Sequence, residues 1–303
     1  FLGVFRDHIL AGQFGAGDEL DIYYAAFRVP DLIFNLLVLG ALSAGFIPIF
    51  VNLLDKPEGK IGDNQAAWRF TNIIINSLLI ILILLSIVGI VLAPQIMKAI
   101  TPGFSAEKLS KTVELSRLMF LSPLLLGLSG VVGGVLQSFK RFFVYSLSPI
   151  FYNLGIIVGA LFLVPHVGLI GLAWGVVIGA LLHLLVQVPT LRHLGLRYRF
   201  ILDWRDKYLR QIGRIMVPRT LGLAVSQLNL LAMAVLASKL ASGSLAVFNL
   251  ANNLQSFPVG IFGLSFAVAA FPTMSALVNE PEKLKVSLTA TIRQILFLVI
   301  PST

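Results

Sequence analysis

The chain has 303 residues, is 57% hydrophobic and only 12% charged, and has a mean hydropathy of +0.91, which excludes an ordinary soluble domain. It has no cysteine, which excludes disulfides and thiolate metal sites. The formal net charge of +9 invites a nucleic-acid reading, but the basic residues are distributed between apolar segments, and no nucleic-acid partner is expected.

Apolar runs of the roughly 20 residues that cross a bilayer recur along the whole length. Examples are IINSLLIILILLSIVGIVLA (74–93) and GLIGLAWGVVIGALLHLLVQV (168–188). In chain order they predict a remnant first helix at about 1–14, then spans near 20–50, 67–93, 112–136, 145–165, 167–189, 212–240 and 245–278, with a ninth starting near 285. Alternating strands of a membrane barrel are not seen. Both ends, Phe1 and ATIRQILFLVIPST, fall inside apolar segments, so the sequence reads as a fragment of a longer protein. Pro30, Pro123, Pro149, Pro218 and Pro258 lie in spans. Each frees a backbone carbonyl, so kinks are expected there.

Most Lys and Arg fall in alternate loops, including Lys56, Lys60, Lys140, Arg141, Lys283 and Lys285. The segment TLRHLGLRYRFILDWRDKYLRQIGRIMVPR (190–219) alone carries eight, whereas the opposite loops carry about five, Lys98, Lys108, Lys111, Arg117 and Lys239. The positive-inside rule then puts the N-terminus in the cytoplasm. With Tyr198, Phe200, Trp204 and Tyr208 interleaved, the basic segment reads as a helix lying in the interface. It would anchor the topology and attract anionic membrane lipid.

LAGQFGAG (10–17) is echoed by LASKLASG (236–243), each at the end of an apolar helix and six helices apart. An even number of spans between copies keeps their orientation, so the repeat is parallel. The fold class that follows is all-α: a polytopic membrane protein of two parallel-repeat six-helix lobes around a central cavity, the second lobe truncated. Residues 1–200 would form the first lobe, and 201–303 the start of the second.

Charges inside the first spans carry the functional signal. Asp21, Tyr24, Arg28, Asp31 and Asn35 recur at i, i+3, i+7, i+10 and i+14, on one helix face. The stripe runs roughly 20 Å at about 1.5 Å per residue. A charge at mid-bilayer costs about 2.5–3.5 kcal/mol, so this face needs a cavity or a partner. Asn249, Asn252, Asn253 and Ser256 form a second polar face on the eighth span. Two such faces imply a hydrophilic cavity; internal pairing, Arg28 with Asp21 or Asp31, is the alternative. Adjacent residues on a helix do not face each other, so Arg6 and Asp7 are expected to take different partners, Arg6 binding an anion.

The remaining polar residues read as structural. Asn72, Asn76, Tyr152, Asn153, Gln227 and Asn229 suit hydrogen bonds between helices. Gly155, Gly159, Gly171, Gly175 and Gly179 suit close helix packing. His166 and His193 have no carboxylate at metal spacing, and neither a metal nor a cofactor is expected. A P-loop and the G-x-S-x-G, H-E-x-x-H and G-x-G-x-x-G patterns are missing, so a secondary transporter, not an enzyme, is expected.

The first fifty residues, FLGVFRDHILAGQFGAGDELDIYYAAFRVPDLIFNLLVLGALSAGFIPIF, resemble the MurJ (MviN) family of lipid II flippases, within the multidrug/oligosaccharidyl-lipid/polysaccharide exporter superfamily. ITPGF (100–104), LQSFKRFFVYSLSP (136–149), LASGS (240–244) and FPVGIFGLSFAVAAFPTMS (257–275) extend the likeness. The resemblance implies movement of undecaprenyl-diphosphate-linked peptidoglycan precursor from inner to outer leaflet of the bacterial inner (cytoplasmic) membrane. Its partners would be that lipid and the membrane lipids, with the coupling ion left open. It carries Arg6, Asp7 and Asp21 over as substrate-binding residues, and Arg28, Asp31, Asn249 and Asn253 join them on the polar faces. Phe34 and Asn253 stand where the family usually has Arg, and Ser256 where it has an acid. These departures keep two other readings open: export of another amphiphile or polyprenyl-linked glycan, and a non-transporting membrane scaffold.

Overall fold

The computed structural model describes residues 2–39, 45–54, 64–264, 266, 270, 274 and 280–302. Every regular element among the described residues is helical. Helix α1 (Leu2–Phe14) turns through Gly15, at φ 64°, into α2 (Asp18–Phe34). Short α3 (Ile47–Asn52) precedes the 36-residue α4 (Gln65–Ile100). Then come α5 (Ala106–Met119), α6 (Ser122–Ser138), α7 (Phe142–Val158), α8 (Val164–Val167), α9 (Ile170–Leu185) and α10 (Val188–His193). The chain continues with α11 (Lys207–Ser238), α12 (Ser244–Pro258) and α13 (Pro281–Ser302).

Local sequence explains several boundaries. The Ser105 side chain accepts from Lys108 N and starts α5, and Asp206 accepts from Tyr208 N and Leu209 N to start α11, satisfying amides that have no partner within the helix. Pro123, expected to kink a span, instead lies in the first turn of α6, where a missing N–H costs nothing. Pro30, Pro149, Pro218 and Pro258 do lie inside helices. Pro258 leads directly into a π-helical turn, Val259–Leu264; further π turns follow α2 at Asn35–Leu39 and α7 at Gly159–Leu163.

Among the described residues, six helical stretches are long and apolar enough to cross a membrane: Gln65–Ile100, Ala106–Ser138, Phe142–Val167, Ile170–His193, Lys207–Ser238 and Pro281–Pro301. The expected spans near 20–50 and 245–278 run in part through positions outside the described residues. Leu2–Ala246 form one compact unit, and the residues from Val247 onward form another.

Within the first unit, α7 and α9 meet backbone to backbone. A Cβ on Gly155 would lie 2.3 Å from the Gly179 Cα, and one on Gly159 would lie 2.6 Å from the Gly175 Cα. The glycine spacing is thus a packing device, since any side chain there would drive the helices apart. Phe46 stacks on Phe50 and Phe70, and Trp68 on Phe139, in the core beside α4 and α6.

The basic segment departs from expectation. It is not an interfacial helix: α10 ends at His193, Gly195 turns at φ 97°, and 196–203 has no helical structure before α11 begins at Lys207. Two asparagines of α4 hold this stretch. Asn72 accepts from Arg199 N at 2.9 Å and donates to Arg197 O at 3.2 Å. Asn76 donates to Arg199 O and Ile201 O at 3.1 and 3.0 Å and accepts from the Tyr198 hydroxyl at 2.8 Å. Asn72 and Asn76 therefore bind non-helical backbone instead of another helix. Such backbone carries groups that must find partners.

Candidate functional site

Three glycine-containing turns come together at the far end of α4. A Cβ on Gly243, at φ 86°, would fall 2.1 Å from Ala16 O, and one on Gly103 would fall 2.0 Å from Ser238 O. The two copies of the repeat, 10–17 and 236–243, thus touch through backbone, and ITPGF wedges against the second copy. Gly103 N also donates to Ser238 Oγ at 3.4 Å.

Asp21, in the first turn of α2 and 2% exposed, fastens this junction. Its Oδ2 accepts from Lys108 Nζ at 2.7 Å and from Gly243 N at 2.9 Å, and its Oδ1 accepts from Ala246 N at 2.8 Å. The two amides lie at the start of α12, where unpaired N–H groups and the helix dipole favour an anion. Asp18 adds an outer layer, its Oδ1 accepting from Lys108 Nζ at 2.5 Å and Ser242 Oγ at 2.7 Å. The Lys108 hydrogen bond, then that of Ser242, holds the Asp18 carboxyl below its ordinary value. Lys108 also lies 4.2 Å from the centre of the Phe104 ring. One ammonium and two carboxylates thereby join α2, α5 and the head of α12 in a latch of charge-assisted bonds.

Lys108 was not among the candidate residues from the sequence, although a signal existed. It lies in the first turn of α5, where the helix dipole opposes a cation, and a Lys in that position calls for carboxylates. Ser242 and the amides of Gly243 and Ala246 gave no sequence signal beyond the LASGS motif itself.

A second cluster lies on α1, α2 and α7. Contrary to expectation, Arg6 and Asp7 pair with each other: Arg6 Nε and Nη2 donate to Asp7 Oδ1 at 2.9 and 2.7 Å. The adjacent-residue rule describes where Cβ atoms point, and the long Arg side chain reaches back around the helix. Tyr23, Tyr24 and Tyr152 are electrostatic neighbours of this pair. The Tyr24 and Tyr152 hydroxyls and Asn153 Oδ1 are buried and have no hydrogen-bond partner. Asn153 lies close to α1, 3.9 Å from where a Cβ on Gly3 would be.

Farther along α2, Arg28 is 8% exposed, and Asp31 Oδ2 accepts from Asn35 Nδ2 at 2.8 Å. The structure thus splits the periodic stripe. Asp21 belongs to the latch, whereas Tyr24, Arg28, Asp31 and Asn35 lie deeper along the helix. Asn249 and Asn253 are on α12, beyond Ala246 and so in the second unit. A further polar network passed unnoticed in the sequence: Ser129 Oγ lies 2.6 Å from His183 Nδ1 and accepts from Gln187 Nε2 at 2.6 Å. Among the described residues, no group of three or more His, Cys, Asp or Glu side chains could hold a metal.

Membrane-capable helices that bury ions inside their bundle define a polytopic α-helical membrane protein with internal polar machinery. The chain belongs to the lipid II flippase MurJ family, whose sequence profile matches residues 10–303. A probable lipid II flippase MurJ from Buchnera aphidicola subsp. Acyrthosiphon pisum is 33% identical over 279 residues, covering 90% of this chain and 53% of the relative. The lipid II flippase MurJ of Burkholderia cenocepacia is 29% identical, over 90% of this chain and 55% of its own. The chain therefore spans just over half the length of these curated relatives. A solved lipid II flippase MurJ in an inward closed conformation superimposes with a TM-score of 0.81 at 25% identity, covering 99% of this chain and 61% of that one. An inward-facing multidrug resistance MATE family transporter of the MOP superfamily shares the fold, with a TM-score of 0.71 at 16% identity. With bacterial relatives and six membrane-capable helices, this is a bacterial membrane protein.

Proposed function

We propose that the protein moves lipid II, an undecaprenyl-diphosphate-linked peptidoglycan precursor, from the inner to the outer leaflet of the bacterial inner membrane by alternating access. Family membership supports the cargo class. The observation that carries the binding chemistry is the Arg6 cluster. Two buried tyrosine hydroxyls without partners beside a guanidinium are donors waiting for an acceptor. Buried polar groups are normally satisfied, and diphosphate oxygens would satisfy these while pairing with Arg6. In this reading Asp7 orients Arg6, and Arg28 and Asp31 continue the path; Asn249 and Asn253, on α12, are further substrate-binding residues.

The latch supplies the alternation. It joins the turns of the two repeat copies through a handful of polar bonds. Asp21 would then act on transport by holding this side shut. Residues 1–200 form the first lobe in this proposal, residues 201–303 begin the second, and the N-terminus is cytoplasmic. The basic segment, held on the opposite end of α4 from the latch, supports that orientation.

Phe34 and Asn253 favour one other reading, export of a less anionic amphiphile or another polyprenyl-linked glycan, since two guanidiniums usual in the family are replaced. Equilibrium binding to the full-length protein in nanodiscs separates the two. Undecaprenyl-diphosphate glycopeptide is compared with its monophosphate lipid and a neutral polyprenol, in wild type and in Arg6→Ala. Diphosphate selectivity that collapses in Arg6→Ala is expected. Equal binding of all three lipids, indifferent to Arg6→Ala, would sink the diphosphate reading.

A further inference from the structure

The polar network between α6 and α9 meets the Arg6 cluster at Tyr152. Ser129 Oγ lies 2.6 Å from His183 Nδ1 and donates to His183 O at 3.1 Å. Gln187 Nε2 donates to Ser129 Oγ at 2.6 Å and to His183 O at 3.1 Å. Ser129 and Gln187 are buried, so this anchor is shielded from water. The imidazole also packs against Tyr152 of α7, with ring centres 6.3 Å apart and planes at 89°. We infer that His183 is a positioning residue for the cargo's diphosphate, seating the Tyr152 ring so that its hydroxyl stays beside Arg6. This rests on the diphosphate reading of the Arg6 cluster.

Three features build the seat. First, the imidazole is pinned. Whichever tautomer it adopts, Nδ1 is engaged by Ser129, so the ring cannot turn without breaking that contact. Second, edge-to-face aromatic pairs hold a preferred geometry, so a pinned imidazole fixes the tilt of the phenol. Third, Gly179 lies one turn before His183 on the same side of α9. A Cβ there would fall 2.4 Å from Tyr152 O and 3.2 Å from Tyr152 Cδ2. Helix α9 thus offers Tyr152 a gap at 179 for its backbone and a flat partner at 183 for its ring. The hydroxyl at the far end of that ring is buried, has no hydrogen-bond partner and is an electrostatic neighbour of Arg6. A binding group works when held within about 0.5 Å and 10–20° of its productive geometry. A hydroxyl at the tip of a phenol leaves that range when the ring tilts. The plainer role of the network is to join α6 to α9, and it makes a different demand. Joining helices needs the hydrogen bond of His183, whereas seating Tyr152 needs its ring.

The test is equilibrium binding to the full-length protein in nanodiscs, with selectivity read as undecaprenyl-diphosphate glycopeptide against its monophosphate lipid. His183→Asn keeps an amide near the place of Nδ1 and loses the ring. His183→Phe keeps a ring and loses the bond, while Ser129 retains Gln187 and the backbone carbonyl at 183. Selectivity is expected to fall about tenfold in Tyr152→Phe, the worth of a hydrogen bond to a charged group. His183→Asn should approach that loss, and His183→Phe should stay within about threefold of wild type. Because His183 acts through the hydroxyl, His183→Asn should lose nothing further in the Tyr152→Phe background. Equal losses in the two His183 variants, or the reverse order, overturn the inference and leave a plain joint between α6 and α9. Losses that multiply in the double variant also overturn it, since His183 would then act by a route that bypasses Tyr152. Unchanged selectivity in both Tyr152→Phe and Arg6→Ala sinks the diphosphate reading, and this inference with it. Loss in those two beside an indifferent His183→Asn sinks this inference alone.

Discussion

Asp21 and Asp31 lie on the same face of α2, ten residues apart, and the structure gives them different surroundings. Asp21 takes one ammonium and two backbone amides, all from elements distant in sequence. Asp31 takes the amide of Asn35 on its own helix and neighbours Arg28. One periodic pattern thus holds a fastening at its end and an ionic group deeper inside. Periodicity reports that a face is turned away from lipid; it does not report whether that face closes on protein or stays available to a ligand.

The sharpest way to break this distinction is to delete each carboxylate. Asp21→Ala leaves the amides of Gly243 and Ala246 without their acceptor and strips Lys108, whose side chain is 11% exposed, of the buried one of its two carboxylates. Removing one partner of a buried pair costs about 3–5 kcal/mol. Asp31→Ala loses the Asn35 hydrogen bond and a charged neighbour of Arg28, and is expected to cost less, about 1–2 kcal/mol. Denaturant titration in mixed micelles reads both, and equal losses would erase the difference between latch and path. The same order is expected when a spin-label distance between positions 16 and 242 is followed, with broadening in Asp21→Ala alone.

Glycines offer a test with opposite signs. Gly243→Ala would place a Cβ 2.1 Å from Ala16 O on a left-handed backbone. The conformation alone costs about 1–2 kcal/mol, and the clash adds to it by parting the two turns. At Gly222, inside α11, a Cβ meets nothing within 4 Å. Gly222→Ala is expected to stabilise the helix by about 0.5–1 kcal/mol. If Gly243→Ala behaves like Gly222→Ala, the turns do not bear on each other.

Legibility in the sequence follows the range of the interaction. The apolar run 74–93 became the middle of α4, and the four-residue glycine spacing became the α7–α9 contact, because both signals are complete within one helix. Lys108 and Asp21 are 87 residues apart, and only the fold brings them together. Residues 196–203 misled because basic and aromatic residues interleave alike in an interfacial helix and in an extended chain. The deciding groups were Asn72 and Asn76, on another element. Arg6 and Asp7 misled for a different reason, a rule about Cβ directions applied to a side chain long enough to escape it.

The non-helical stretch gives the next smaller effect. Asn76→Ala removes two donors to backbone carbonyls and the acceptor of the Tyr198 hydroxyl. Water can replace part of this, because Tyr198 and Arg199 are exposed, so about 1 kcal/mol is expected. The direct reading is faster tryptic cleavage after Arg197 and Arg199, with cleavage in α11 unchanged. An unchanged rate would mean that the stretch is held by something other than α4.

The smallest effect separates the two acids of the latch. The Asp18 side chain is 61% exposed, so water screens its pair with Lys108, and less than about 1 kcal/mol is expected from it. Its carboxyl is held below the ordinary value of 3.8 by Lys108 and then Ser242. A depressed acid stabilises the fold fully above its unfolded value, and loses that contribution as pH falls through the folded one. The stability difference between wild type and Asp18→Asn should therefore be flat above about pH 5 and vanish toward the acid end. It should also shrink in about 1 M salt, where the screening length is near 3 Å. Asp21 is walled off from solvent, so the Asp21→Ala deficit should barely respond to salt. If salt reduces both deficits alike, the inner carboxylate is as wet as the outer one, and the latch is a surface ion pair.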